Sequence, residues 1–360
     1  MTFRRRWIFA ISLFTLILGN GVPLGNGVPL CWGFQDDIPS PSSAVKEWAV
    51  GDSFPAQDSL EVDGTEAEAE DAADCLQGLC WAPTNFVVTL DTPTRGFGKW
   101  LVRFPSPRPQ GDAAADNVAM EWYVAKDDQG NVCHAPAVVV VHESGRNMVV
   151  GRLIARGLAG MGVHAFLIQL PGYGVRGNPI AEDPKKFLGA LQQAVADVRR
   201  ARDAVAVLPY VDATRIGLQG TSLGGFVAAT VCGLDHAYDQ QFIFLAGGNL
   251  HDVVLQGQRD AAKVRERLRA AGLSDDDILA LARPVEPLRI AHRVKSANTW
   301  LYSGIHDDVV PPSCCHAWAS AAKLPESHHI QMPVDHYSGV TYLPKILGEI
   351  REKMLATETP

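Results

Sequence analysis

Ser222, in the pentapeptide Gly220-Thr221-Ser222-Leu223-Gly224, is the residue of this sequence best suited to covalent chemistry. A free hydroxyl is hardly ionised near neutral pH, so a nucleophilic serine needs a general base, and that base needs an acid to orient it. The pattern G-x-S-x-G is short, and in a chain with 33 glycines it gains meaning only from its context. The alternative reading is a glycine-rich turn whose serine caps a helix. Two downstream stretches offer partners: Gly304-Ile305-His306-Asp307-Asp308-Val309-Val310-Pro311, and Asp335-His336-Tyr337-Ser338-Gly339. Taken in chain order, Ser222, Asp307 and His336 follow the sequence nucleophile, acid, histidine, one of the orders in which such triads occur. The spacing from Gly304 to Pro311 puts Asp307 directly at the turn, with Asp308 as the alternative acid.

Acyl transfer also requires two aligned donors for the developing oxyanion. One candidate is the backbone N–H of Leu223, at the start of the helix expected behind the serine. The other is the N–H of Ser144, in the loop His142-Glu143-Ser144-Gly145; here the alternative is a plain turn with a buried His142. His328 and His329 precede or begin a strand, at its wrong end for catalysis. His306 is expected to pack in its loop, and Asp335 either orients His336 or faces solvent. Tyr173 and Arg176 sit on a turn near the expected mouth, as substrate contacts or as a solvated turn.

These residues need a scaffold, and the hydrophobic pattern supplies one. Residues 86–90, 100–104 and 119–125 alternate and are rich in β-branched and aromatic side chains, as antiparallel strands are. Residues 137–143 form a continuous valine-rich run, which marks a strand buried on both faces. Further strands are expected at 163–170, 215–220, 242–247, 299–304 and 329–334, and helices at 149–160, 187–208, 223–233 and 345–355. Strands alternating with helices predict one mostly parallel, doubly wound sheet with antiparallel N-terminal strands. Ser222 then falls between strand and helix, where a nucleophile elbow belongs, and Gly220 and Gly224 give the small residues such a turn demands. Residues 249–295 read as a helical cap insertion over the C-terminal ends of the strands. Trp100, Trp122, Trp300 and Trp318 are expected in the core rather than in a pocket wall.

From about residue 84 to 356 the sequence resembles the α/β-hydrolase superfamily. The segment from Val138 to Asn147 (VVVVHESGRN), with GLAGMGVHAFLIQLPGYG after it, is similar to the HExxG region of the dienelactone hydrolase branch. YVDATRIGLQGTSLGG and GIHDDVVPP are similar to segments shared by that branch, acetyl-esterases and prolyl-oligopeptidase-like enzymes. The resemblance implies Ser222 as nucleophile, Asp307 as acid and His336 as base, with the amides of Leu223 and Ser144 as oxyanion hole. It also implies that Glu143 lies near the nucleophile; beside the resemblance, His142 and Asp308 are candidates for supporting positions. The chain departs from dienelactone hydrolases in carrying serine where those carry cysteine. The implied mechanism calls for no cofactor and no metal.

Outside this region the sequence changes character. Arg4, Arg5 and Arg6 precede the uncharged run from Trp7 to Leu18, too short to span a bilayer but suited to a signal-peptide core. Residues 1–33 are therefore expected to be a cleaved signal peptide or a retained N-terminal anchor, implying export to the periplasm or exterior. Residues 34–83 are expected to be an acidic, disordered linker, since Gly51–Cys80 holds nine acids and no Lys or Arg. Without those acids and the three N-terminal arginines, 31 of 40 acidic residues face 29 of 32 basic ones, so nothing favours nucleic acid as a partner. Seven cysteines suggest no metal site; six would remain after signal removal, and pairing in an oxidising compartment stays open. The leading expectation is an exported serine hydrolase cleaving carboxylic esters of small molecules. The alternatives are a serine peptidase and a non-catalytic hydrolase-like binding domain.

Overall fold

The computed structural model describes residues 48–61, 70–94, 96–177 and 184–356. Residues 1–33, on which the expectations of a signal peptide, export and membrane association rest, lie outside them. Among the described residues ten strands form one sheet: β1 (Ser53–Gln57), β2 (Asn85–Asp91), β3 (Trp100–Pro105), β4 (Asn117–Tyr123), β5 (Ala135–Val141), β6 (His164–Gln169), β7 (Val211–Thr221), β8 (Gln241–Phe244), β9 (Thr299–Gly304) and β10 (His329–Met332). The spatial order is β1-β2-β3-β4-β6-β5-β7-β8-β9-β10. β1 to β4 pair antiparallel with their neighbours, β4 pairs antiparallel with β6, and β6 through β10 run parallel. This is the α/β-hydrolase fold, with the antiparallel start and parallel body that the sequence predicts.

The parallel strands are central because nothing in them needs water: every residue of β5, β6, β8 and β9 is buried. Their crossovers are α2 (Val149–Gly160), α3 (Pro184–Ala206) and α4 (Leu223–Val231), and α10 (Leu343–Leu355) closes the chain. One apolar core fills each face of the sheet. All four tryptophans singled out above are buried in them.

The expected linker over 34–83 needs correction. Part of it is folded: β1 adds a strand to the sheet edge, and α1 (Glu70–Leu79) buries Cys75, Leu76 and Leu79. One of its acids, Asp58, is buried rather than solvated. The Asp58 carboxylate accepts from Arg200 Nε at 2.7 Å, from Trp81 Nε1 and from the Thr84 N–H. Burial raises the Asp58 pKa, but these donors outweigh it and hold the carboxyl below its usual range. Ser59 Oγ donates to Asp203, which also pairs with Arg199. Buried arginines of α3 thus dock the segment that charge composition assigns to solvent. The expected boundary at residue 84 moves back to the start of β1.

Residues 249–295 fold as α5 (Leu250–Gln256), α6 (Asp260–Ala270), α7 (Asp275–Ala282) and α8 (Pro287–Ile290), with short 3-10 turns. Glu286 closes the base of this insertion, accepting from the N–H groups of Asn249, Leu250 and Leu288. α9 (Pro312–Ala321) follows β9. Cys75, Cys80, Cys232, Cys314 and Cys315 are free thiols, and Cys232 and Cys315 are buried deeply enough to push their thiol pKa far up. No helix among the described residues is long and apolar enough to cross a membrane.

Candidate active site

The elbow begins with the close approach of strand and helix. β7 ends at Thr221 and α4 begins at Leu223, so Ser222 alone makes the turn. Its φ of 52° and ψ of −115° form a conformation that side-chain-bearing residues seldom adopt, at a cost of about 1–3 kcal/mol. The Ser222 N–H donates to Phe244 O of β8 at 2.9 Å and its carbonyl accepts from Phe226, which hold the turn from both sides. Small neighbours are obligatory here. A Cβ on Gly220 would press on the Gly224 carbonyl, and one on Gly224 would press on the carbonyl oxygens of Val141 and His142.

Ser222 Oγ lies 2.9 Å from His336 Nε2, and His336 Nδ1 lies 2.7 Å from Asp307 Oδ2. The other Asp307 oxygen accepts from the N–H groups of Val309 and Val310, both at 2.9 Å. The carboxylate is thereby fixed on both oxygens and buried, while Ser222 stays partly accessible. Asp308 points elsewhere: its Oδ2 lies 2.9 Å from Arg259 Nε. Asp335 builds the turn that presents His336, accepting from the N–H groups of Tyr337 and Ser338. These bonds hold the Asp335 carboxyl below its ordinary range.

Other residues are placed away from the serine. His328 bonds Ser296 O and Thr299 O through Nδ1 and stacks on Trp300. His329 Nε2 lies 2.8 Å from Ser303 Oγ. His306 is exposed. Arg176 is neither solvated nor a surface contact: it is fully buried and paired with Asp197 at 2.6 Å.

The loop after β5 has its own logic. His142 is fully buried, and burial lowers its pKa to about 4. Its Nε2 accepts from the Leu170 N–H at 3.1 Å, so the proton sits on Nδ1, which donates to Glu143 O at 2.6 Å. The Glu143 carboxylate is held by a helix start: its two oxygens accept from Val150 N–H and Gly151 N–H at the start of α2, each at 3.1 Å. An unpaired helix start attracts a carboxylate this way. Ser144 is exposed, and its carbonyl accepts from Tyr173 Oη at 3.1 Å. Because Gly224 abuts Val141 and His142, this loop is held against the elbow. Leu223 N–H and Ser144 N–H thus belong to adjoining segments.

Four residues at the site escaped sequence reasoning. Tyr337 Oη donates to Asp260 Oδ2 at 2.9 Å, and the Arg259 guanidinium lies over the Tyr337 ring. The Gln258 N–H also donates to Asp308 O. The turn between α5 and α6 therefore bridges the loops that carry Asp307 and His336. Only the adjacency of Tyr337 to His336 hinted at this. Beside the elbow lies an apolar cavity of about 130 Å³ between α3, α4 and the insertion, with Leu223 in its wall. Among the described residues no cluster of three or more His, Cys, Asp or Glu could hold a metal.

Residues 153–339 match the model of the prolyl oligopeptidase family. Among solved structures, the chain is similar to an acetyl xylan esterase from Paenibacillus sp. R4, at 18% identity over 79% of this chain and 92% of that one, with a TM-score of 0.55. Acetyl xylan esterase 1 from Thermoanaerobacterium sp. JW/SL YS485 is similar at 14% identity over 82% and 97%, with a TM-score of 0.56. An acylaminoacyl peptidase from Pyrococcus horikoshii is similar at 15% identity over 72% of this chain and 42% of that one, with a TM-score of 0.51. At these identities the likenesses speak to the fold. No curated protein matches the sequence.

Proposed function

Since the chain belongs to the prolyl oligopeptidase family, we propose that this serine hydrolase cleaves carboxylic esters with Ser222, His336 and Asp307 as its catalytic triad. The observation that carries the proposal is the continuous chain of contacts, 2.9 Å from Ser222 Oγ to His336 Nε2 and 2.7 Å from His336 Nδ1 to Asp307. His336 takes the serine proton as Oγ attacks the ester carbonyl, and Asp307 holds the imidazole in the tautomer that leaves Nε2 free to accept. The N–H groups of Leu223 and Ser144 stabilise the oxyanion. His336 returns the proton to the departing alcohol, leaving an acyl-enzyme. Water then repeats the sequence with the same base.

The test is hydrolysis of p-nitrophenyl butyrate by the full chain and by Ser222→Ala, with fluorophosphonate labelling of both. Expected are turnover and labelling in the wild type and loss of both in the variant. A folded wild type that neither labels nor turns over would sink the proposal and favour a binding role. The family also favours a second reading, amide hydrolysis, which aminoacyl p-nitroanilides would reveal as turnover exceeding that of the matching ester series. Export through residues 1–33 belongs to the same proposal and rests on the arginines and apolar run there; an N-terminal reporter fusion that stays in the cytoplasm would refute it.

A further inference from the structure

We infer that the substrate carries a compact apolar acyl group, which fills the cavity beside Ser222; the inference rests on the esterase reading above and narrows it. The cavity is walled by Leu188 and Leu191 of α3, Leu223 and Phe226 of α4, and Val254 and Leu268 of the insertion, among other apolar side chains. Leu223 joins the two features, since its N–H is the proposed oxyanion donor and its side chain is cavity wall. An ester carbonyl held on that N–H has one substituent directed at the cavity and one directed away.

The direction of each substituent follows from the proton transfer. The alcohol must depart beside His336 Nε2, because that nitrogen gives it a proton. None of the residues lining the cavity comes from the loops that carry Asp307 or His336. The cavity is therefore on the acyl side of the reacting carbon. Its volume of about 130 Å³ sets the size. An apolar cavity of about 150 Å³ lined by similar side chains stays dry and accepts benzene, so this one suits about four to six carbons or a single ring. Its walls offer next to nothing for a hydroxylated or charged group to bond, and burying such a group unpaired is costly.

The experiment is a series of p-nitrophenyl acetate, butyrate, hexanoate, benzoate and laurate with the full chain, alongside Val254→Phe and Leu268→Ala. The expected wild-type maximum of kcat/KM lies at butyrate, hexanoate or benzoate, about tenfold or more above both acetate and laurate. Filling the cavity in Val254→Phe should lower the hexanoate-to-acetate ratio about tenfold, and enlarging it in Leu268→Ala should move the maximum to longer chains. A ratio within one preparation is insensitive to the fraction folded, and the two variants move it in opposite directions. A maximum on acetate, or ratios unchanged in both variants, would overturn the assignment while fluorophosphonate labelling of Ser222 left the hydrolase reading standing. An unlabelled Ser222 would overturn both.

Discussion

Two adjacent carboxylates, Asp307 and Asp308, have the same chemistry and opposite surroundings. Asp307 is buried between His336 and two backbone N–H groups, whereas Asp308 is partly exposed and pairs with Arg259. An exposed pair of that kind contributes at most about 1 kcal/mol. If the proposed triad operates, Asp307→Asn should lower kcat by about 10⁴-fold, because an amide that donates to Nδ1 favours the wrong tautomer. Asp308→Asn should change kcat by no more than about threefold. Steady-state kinetics of the two variants checks both, and a larger loss in Asp308→Asn would reassign the acid.

At the scale of elements, the site depends on how closely α4 can approach the end of β5. Gly224 lies where a methyl group would overlap the carbonyls of Val141 and His142, and neither carbonyl can yield without moving the loop that holds Ser144. Gly224→Ala should therefore separate the two proposed oxyanion donors, and a displacement of about 1 Å at such a site costs about 10²-fold in rate. The matching measurement is kcat on p-nitrophenyl butyrate beside the thermal midpoint. A variant as active as the wild type would show that the approach is not needed. The turn from Gln258 to Asp260 adds a second dependence, since it fastens the insertion to both loops that carry Ser222's partners.

At the scale of the whole molecule, two buried histidines couple stability to pH. His164 Nδ1 accepts from Trp122 Nε1 and the Ala125 N–H, while its Nε2 faces the carbonyls of Cys133 and Tyr210. A proton on Nδ1 would break two of these bonds. Burial, the largest cause, lowers the pKa of His142 and His164 from the ordinary 6.5 to about 4. Between those values the unfolded chain binds protons that the folded chain refuses, so stability is full above pH 6.5 and falls as pH drops towards 4. The slope approaches about 1.4 kcal/mol per pH unit for each histidine. Thermal midpoints recorded from pH 7.5 to 4.5 should fall steeply below pH 6.5, and His164→Gln should show a shallower fall. Equal slopes would mean that His164 is not held neutral.

Much of this was legible in the sequence because it depends on local order. Alternating and continuous apolar runs mark strands wherever they lie, and a serine two residues from glycines on both sides marks a turn too tight for other side chains. Chain order brought Ser222, Asp307 and His336 into one hypothesis without any knowledge of distance. What the sequence could not express is which charges find partners. Asp58, one of the acids between Gly51 and Cys80, looks solvated until α3 presents Arg200 to it, and Arg199 meets the neighbouring Ser59. That the Glu143 carboxylate meets the N–H groups at the start of α2 is likewise visible only in the fold. Arg176 looks like a surface residue until Asp197 meets it in the interior. Composition counts charges one at a time, but the cost of burying a charge depends on its partner, and only the tertiary structure supplies the partner.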